Sequence, residues 1–390
     1  MGKIYEAVAV VFIFQSEIFA IKRQENLKAY PGYFAFPGGK IDEEDKKDPL
    51  PNHRIFNKHE HRLINALRRE LIEELNFDIV KGYKQGLISA IDKLGHGVTP
   101  DFYPYRYSTH FFRIIVTQKI DFEVDKEEAS LGKWYKPTDF LRFYKTGNVL
   151  IVPPVKRIIE ILAEDINSKS FDYIHFSYDK INEVPSWEVI QGIIVCMPKC
   201  NSDKSCERLN SYIIGDEYKI LVDPFVGNAE ELKRFKNTLK NYHFDAIALT
   251  HLEVDRLWFV KSVFKKNEIT LHTSQKNFNN MKDFISAEEI NFQCVKEEAK
   301  LTKWMGKDVY IRPLTHDHEN LEIYAENHFW VMIGDSLKII NTSNYPISFY
   351  DSLQLITEQK PSFIFPSRGA IWGGSEVLQK LLQQSRMQSN

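Results

Sequence analysis

Residues 7–14 read AVAVVFIF, an apolar run rich in β-branched and aromatic side chains, and a second run occupies residues 18–23. Only Gln15, Ser16 and Glu17 lie near the break between them, so the pattern predicts a hairpin of buried strands. A loop punctuated by Gly32, Pro37, Gly38 and Gly39 follows, then a charged stretch over residues 42–61. Leu63, Ile64, Leu67, Leu71 and Leu75 then recur at helical spacing and predict an amphipathic helix. Further strands are expected at residues 85–91, 109–117 and 132–135, with helices at 138–144 and 153–163. Strands surrounding helices give an α/β sandwich.

The periodicity weakens over residues 164–186 and then resumes. Strands at 210–214, 219–222, 246–249, 329–333 and 362–365 alternate with helices at 229–239, 349–358 and 376–384, which is a second α/β domain. The 390-residue length also favours two cores over one. The division expected is residues 1–165, a linker over 166–189, and 190–390.

Composition narrows the picture. With 43% hydrophobic and 27% charged residues the chain should fold, and a net charge of −2 gives no general attraction for nucleic acid or an acidic membrane. The longest apolar run is too short to span a bilayer and no basic segment precedes it, so the expected location is the cytoplasm. Cys196, Cys200, Cys206 and Cys294 are expected as reduced thiols, since no further Cys or His completes a zinc set at finger spacing.

Glu70, Glu73 and Glu74 stand at i, i+3 and i+4, on one face of the expected helix, with Leu67, Leu71 and Leu75 on the other. Three like charges repel, and a hard divalent cation with oxygen ligands would resolve the repulsion. The alternative is a solvated acidic face paired with Arg62, Arg68 or Arg69.

Phe36-Pro37-Gly38-Gly39-Lys40-Ile41-Asp42, followed by Arg69-Glu70-Leu71-Ile72-Glu73-Glu74-Leu75-Asn76-Phe77, resembles the Nudix box, G-x5-E-x7-R-E-U-x-E-E-x-G-U. The resemblance implies an N-terminal Nudix α/β/α sandwich that hydrolyses a nucleoside diphosphate conjugate with Mg²⁺ or Mn²⁺. It implies metal ligation by Glu70, Glu73, Glu74 and the Gly38 carbonyl, and a helix-orienting role for Arg69. A late carboxylate often joins such a site, and Glu127 and Glu128 are the candidates. The box departs from the pattern in three ways. Residues 40–68 form an interval about 16 residues too long, the first acidic position falls on Asp45, and Asn76 replaces the final glycine. Asn tolerates a left-handed helix cap well.

Lys28-x3-Gly32-x3-Phe36-Pro37-Gly38-Gly39 resembles the coenzyme A diphosphatase signature R-x3-G-x3-F-P-G-G, with Lys28 for arginine. Residues 98–100 and 106–112, and Pro153-Pro154, resemble the same subgroup. Coenzyme A or an acyl ester is therefore the leading substrate, with Arg23, Lys28 and Arg106 as phosphate-binding cations.

In the second half, Asn210–Ile214, Ile220–Pro224 and Ala248–His251 resemble the opening of a metallo-β-lactamase-like αββα sandwich. That family continues H-x-H-x-D-H; here the residues are His251-Leu252-Glu253-Val254-Asp255-Arg256. His316 or His318 would take the middle histidine's place and Asp335 the bridging aspartate's, while Ser367-Arg368-Gly369 replaces a G-H-G turn. Arginine cannot ligate a metal, so no complete zinc site is expected. The second domain is expected as scaffold, homodimer surface or ligand-binding module, its arginines open to an anion. The alternatives are a single zinc on His251, Glu253 and His316 or His318, or a Nudix scaffold that senses a nucleotide without cleaving it.

Overall fold

The computed structural model describes residues 4–27, 29–47, 50–100, 106–169, 171, 182–200, 208–263, 269–282, 284, 291–314, 317–335, 354–376, 378–379 and 382–383. The chain forms two compact units, Met1–Ser177 and Tyr178–Asn390.

In the first unit, β1 (Ile4–Phe14) pairs antiparallel with β2 (Glu17–Arg23), which also pairs with β3 (Phe34–Ala35). The short helices α1 (Arg54–Asn57) and α3 (Ile79–Lys84) flank the long helix α2 (His61–Leu75). Strand β4 (Ile88–Val98) pairs antiparallel with β5 (Arg106–Val116), β5 runs parallel to β1, and β6 (Ala129–Tyr135) closes onto β2. Helices α4 (Pro137–Lys145) and α5 (Pro153–Glu164) complete the unit.

Alternation along β1 decides the layering. Val8, Val10 and Phe12 face a core with Leu63, Ile64, Leu67, Leu71 and Leu75 of α2, whereas Val11 and Ile13 face Phe140 of α4 and Val155, Ile158 and Ile159 of α5. The sheet is thus covered on both sides, an α/β/α sandwich.

Helix α2 ends at Asn76, which is left-handed (φ 50°, ψ 34°), its N–H bonded to the Ile72 carbonyl and that of Phe77 to the Leu71 carbonyl. This is the cap anticipated for asparagine at that position. The strand expected at 85–91 starts later, at Ile88, because Asp78 accepts from the N–H groups of Val80 and Lys81 and nucleates α3 in residues that carry no clear helical period.

The second unit contains two sheets. β7 (Ser186–Ile190), β8 (Ile193–Cys196), β9 (Ser211–Ile214), β10 (Ile220–Val222), β11 (Ala246–Ala248), β12 (Thr270–Thr273) and β13 (Asn291–Cys294) form the first in that spatial order. β14 (Ala299–Trp304), β15 (Lys307–Leu314), β16 (Asp317–Ala325), β17 (Trp330–Met332), β18 (Phe363–Phe365) and β19 (Trp372–Gly373) form the other. The inner faces meet where Tyr212 packs edge-on against Phe365, ring centroids 5.6 Å apart. Leu221 and Ile247 face Phe235 of α6 (Ala229–Leu239), Phe259 of α7 (Trp258–Val263) and Met281 of α8 (Gln275–Met281) on the outside of the first sheet. Ile364 and Val331 pack on Ile356 and Leu378 outside the second. The result is an αββα sandwich. No helix among the described residues is long and apolar enough to cross a membrane.

Candidate active site

A cavity of about 790 Å³ lies in the first unit beside Ala7, Val8 and Ala9 of β1 and Tyr107 and Thr109 of β5. Small residues make the room: Ala7 and Ala9 of β1 stand beside Thr109 and Phe111 of β5, and Ala7, Ala9 and Thr109 line the cavity. One wall is acidic, with Glu70, Glu73 and Glu74 of α2 joined by Asp42, Asp125 and Glu128. The lining also includes Tyr30, Tyr33, Phe34 and Tyr107, and Arg23 and Lys40 supply positive charge.

The glycine loop fits against the helix because it lacks side chains. The Gly38 N–H donates to Glu74 Oε2 at 2.8 Å, and its φ of 142° suits glycine. A Cβ at Gly38 would lie 2.2 Å from the Val8 carbonyl oxygen, and one at Gly39 would strike the Glu70 carboxylate at 2.3 Å. The carbonyls of Pro37 and Gly39 are engaged by the N–H groups of Val10 and Val8, which welds the loop to β1.

Arg69 organises the same helix from the side. It donates to both oxygens of the buried Asp45 carboxylate at 3.2 and 3.1 Å, to the Lys40 carbonyl at 2.7 Å, to Glu70 at 2.9 Å and to Glu73 at 3.1 Å. Burial pulls its guanidinium pKa down, but Asp45 and Glu70 outweigh that and hold it above the ordinary value. The long interval in the box lies between the partners of this bridge: α1 falls between Asp45 and Arg69 in the chain, and Asp45 pairs with Arg69.

Glu74 is 6% exposed, and among the described residues it has no ion-pair partner within 4 Å. Burial pushes its carboxyl up to about 8; the Gly38 N–H and Arg23 act against this, and Glu70 and Glu128 reinforce it. Burial also raises Glu70, with Arg69 opposing and Glu73 adding to the shift. An all-oxygen donor set with a buried carboxylate lacking a counter-charge fits a hard divalent cation.

The structure brings Gly38, Glu70, Glu73, Glu74, Glu128 and Arg23 to one cavity. Glu128 arrives because the Asp125 N–H bonds the Glu74 carbonyl at 2.8 Å, tying the acidic loop to α2, whereas Glu127 is exposed and does not line the cavity. Arg106 begins β5, donates to the Thr99 carbonyl at 3.2 Å and is outside the lining. Lys28 lies outside the described residues. Asp42, Asp125, Tyr33 and Tyr107 were not singled out from the sequence. The period of two along β5, which sets Tyr107 and Thr109 on one face, is the signal that could have found Tyr107.

Residues 4–151 match the family described as the NUDIX domain. Within the first unit, these residues carry the chain's similarity to the Nudix family. A NUDIX hydrolase from Alicyclobacillus acidocaldarius is similar at 19% identity, over 43% of this chain and 95% of that one, with a TM-score of 0.36. A flavodiiron protein from Giardia intestinalis is similar at 14% identity, over 53% of this chain and 59% of its own, with a TM-score of 0.44. The DIM-1 metallo-β-lactamase is similar at 14% identity, over 53% and 98%, with a TM-score of 0.41. No curated protein matches the sequence.

In the second unit, loops at the carboxyl ends of β10, β11, β17 and β18 bring Asp223, His251, Glu253, Asp335 and Arg368 together. Ligand atoms of His251, Glu253 and Asp335 lie within 4.8 Å of one another. The arginines at the expected ligand positions carry carboxylate partners. Arg256 and Arg368 both pair with Glu253, and Arg368 Nε is 2.9 Å from Asp335. Asp255 is 71% exposed and lies 3.9 Å from Arg256 Nε. His316 and the His318 side chain lie outside the described residues.

Proposed function

We propose that the Nudix domain hydrolyses the diphosphate linkage of a nucleotide conjugate with Mg²⁺ or Mn²⁺, with coenzyme A or an acyl ester as the leading substrate. The observation that carries this reading is the convergence of Glu70, Glu73 and Glu74 with the Gly38 loop on one cavity of about 790 Å³. That volume lies within the range of small-molecule sites.

Division of the cavity supports the substrate class. The acidic wall would hold the cation on Glu70, Glu73, Glu74 and the Gly38 carbonyl, with Glu128 beside them. A divalent cation there would supply Lewis-acid polarisation of the phosphoryl oxygens. Arg23 lines the same cavity, which supports a phosphate-binding role, and the lining tyrosines support stacking of a base. A carboxylate of the acidic wall would take the proton of the attacking water. Gly38 and Gly39, which end the motif that carries the coenzyme A resemblance, line this cavity, and that resemblance is why that conjugate leads.

The test is turnover of a panel of coenzyme A species, nucleotide sugars, dinucleoside polyphosphates and NADH with Mg²⁺ or Mn²⁺, beside a Glu74→Gln control. Release of a 4′-phosphopantetheine product and adenosine 3′,5′-bisphosphate, abolished in the variant, is the expected result. Turnover of another conjugate alone would keep the chemistry and discard coenzyme A. No turnover of any member would overturn the catalytic reading.

A further inference from the structure

The acidic cluster of the second unit has the composition of a metal site: one histidine and two carboxylates whose ligand atoms lie within 4.8 Å. Three protein ligands and an open position would suffice for catalytic zinc. Its surroundings answer the charge differently. Glu253 meets two guanidinium groups, one oxygen paired with Arg256 and the other with Arg368, and Arg368 also lies 2.9 Å from Asp335. Arg256 and Arg368 are both buried, so neither pairing is a loose surface contact.

The histidine is also committed. His251 Nδ1 lies 3.0 Å from Thr250 Oγ1, which itself donates to Asp223 Oδ2 at 2.6 Å, and 3.6 Å from that carboxylate oxygen. Gly334 closes the loop over this group: a Cβ there would lie 2.3 Å from Thr250 Oγ1 and 3.0 Å from His251 Nδ1. The Ser367 N–H bonds the Gly334 carbonyl at 2.8 Å, and the Asn210 N–H bonds the Ser367 carbonyl at 2.7 Å. Arg368 is thereby delivered by a segment fixed to both neighbouring loops. Guanidinium groups are permanently charged, fork-shaped donors with no acceptor, so they neutralise carboxylates where they cannot share a metal.

We infer that Arg256 and Arg368 stand in for a metal ion in the second unit, locking Glu253 and Asp335 in an internal ion-pair lattice that closes the site to zinc. Among the described residues, this donor set therefore does not fit a metal centre as it stands. Its loops are held by protein cations instead, so its stability is independent of divalent metal.

The experiment uses the full chain in a Glu70→Gln, Glu74→Gln background, which removes the first unit's carboxylates from the metal count. Zinc retained after equilibration and dialysis is measured by elemental analysis, and the thermal transition is followed with and without zinc. The background protein should retain no stoichiometric zinc and show no zinc-dependent Tm. Adding Arg256→Met and Arg368→Met should lower Tm, because it leaves buried carboxylates without partners. That variant should take up close to one zinc per chain and regain Tm with it. Stoichiometric zinc in the background protein, lost on His251→Ala, would overturn the inference. So would a folded double variant that takes up none. If the double variant does not fold, Arg368→Met alone serves, with Arg368→Lys expected to restore indifference to zinc.

Discussion

Both units gather carboxylates, the first largely on helix α2 and the second on loops after its strands, yet they balance that charge in different ways. In the first unit Arg69 braces Glu70 and Glu73 from the side and is itself anchored on Asp45, while Glu74 is buried against a peptide N–H and pushed up to about 8 by that burial. In the second, Glu253 is clasped by two buried guanidiniums and Asp335 by one of them. An acidic cluster becomes a receptive cation site only where the protein withholds its own cation from one member. The position of arginine, more than the number of acids, separates the two.

The strongest way to break the contrast is Glu74→Gln, which removes the carboxylate that lacks a counter-charge. Turnover should fall about 10³-fold while the thermal transition is retained, as kinetics and calorimetry on the same preparation would show. A smaller catalytic loss is expected from Asp45→Asn, which loosens the anchor of Arg69 and should weaken metal dependence of turnover by about 10- to 100-fold, read as a shift in the Mn²⁺ activation midpoint. Tyr33→Ala, in the cavity lining, should raise KM about tenfold with a smaller change in kcat if that ring stacks a base.

Gly38→Ala probes the loop. The added Cβ meets the Val8 carbonyl at 2.2 Å in a backbone region that favours glycine, so a loss of about 2 kcal/mol is expected, visible as a Tm several degrees lower. The smallest effect concerns acid stability. Burial works to raise Asp78, but its hydrogen bonds from Arg68 and the Val80 N–H outweigh that and leave its pKa below the ordinary 3.8. A depressed carboxylate stabilises above its unfolded pKa and loses that contribution as pH falls through the folded one. Asp78→Asn should therefore flatten the pH dependence of Tm below about pH 4 and lower the plateau above it by about 1 kcal/mol, with helix α3 losing its cap.

Much of this was legible in the sequence because period and chemistry coincide there. The run at residues 7–14, the leucines of α2 and the left-handed Asn76 cap each follow from local rules. The carboxylate triplet was visible because i, i+3 and i+4 fix a helix face whatever the surroundings. Asp125 and Tyr33 were not, since they reach the cavity through contacts distant in sequence, such as the Asp125 N–H on the Glu74 carbonyl. Helix α3 was missed because a side-chain cap at Asp78, rather than a repeating apolar face, starts it. The sequence also announced two arginines at expected ligand positions, but not that Glu253 would hold both; that pairing depends on β11 and β18 converging across 115 residues.

The measurement that tests the contrast most directly is Mn²⁺ binding to the full chain, followed by electron paramagnetic resonance in the wild type, in Glu70→Gln/Glu74→Gln and in Glu253→Gln. Saturable binding that disappears in the first variant and persists unchanged in Glu253→Gln is the outcome expected. Binding that survives loss of Glu70 and Glu74 and vanishes with Glu253 would place the cation site in the second unit and contradict the account.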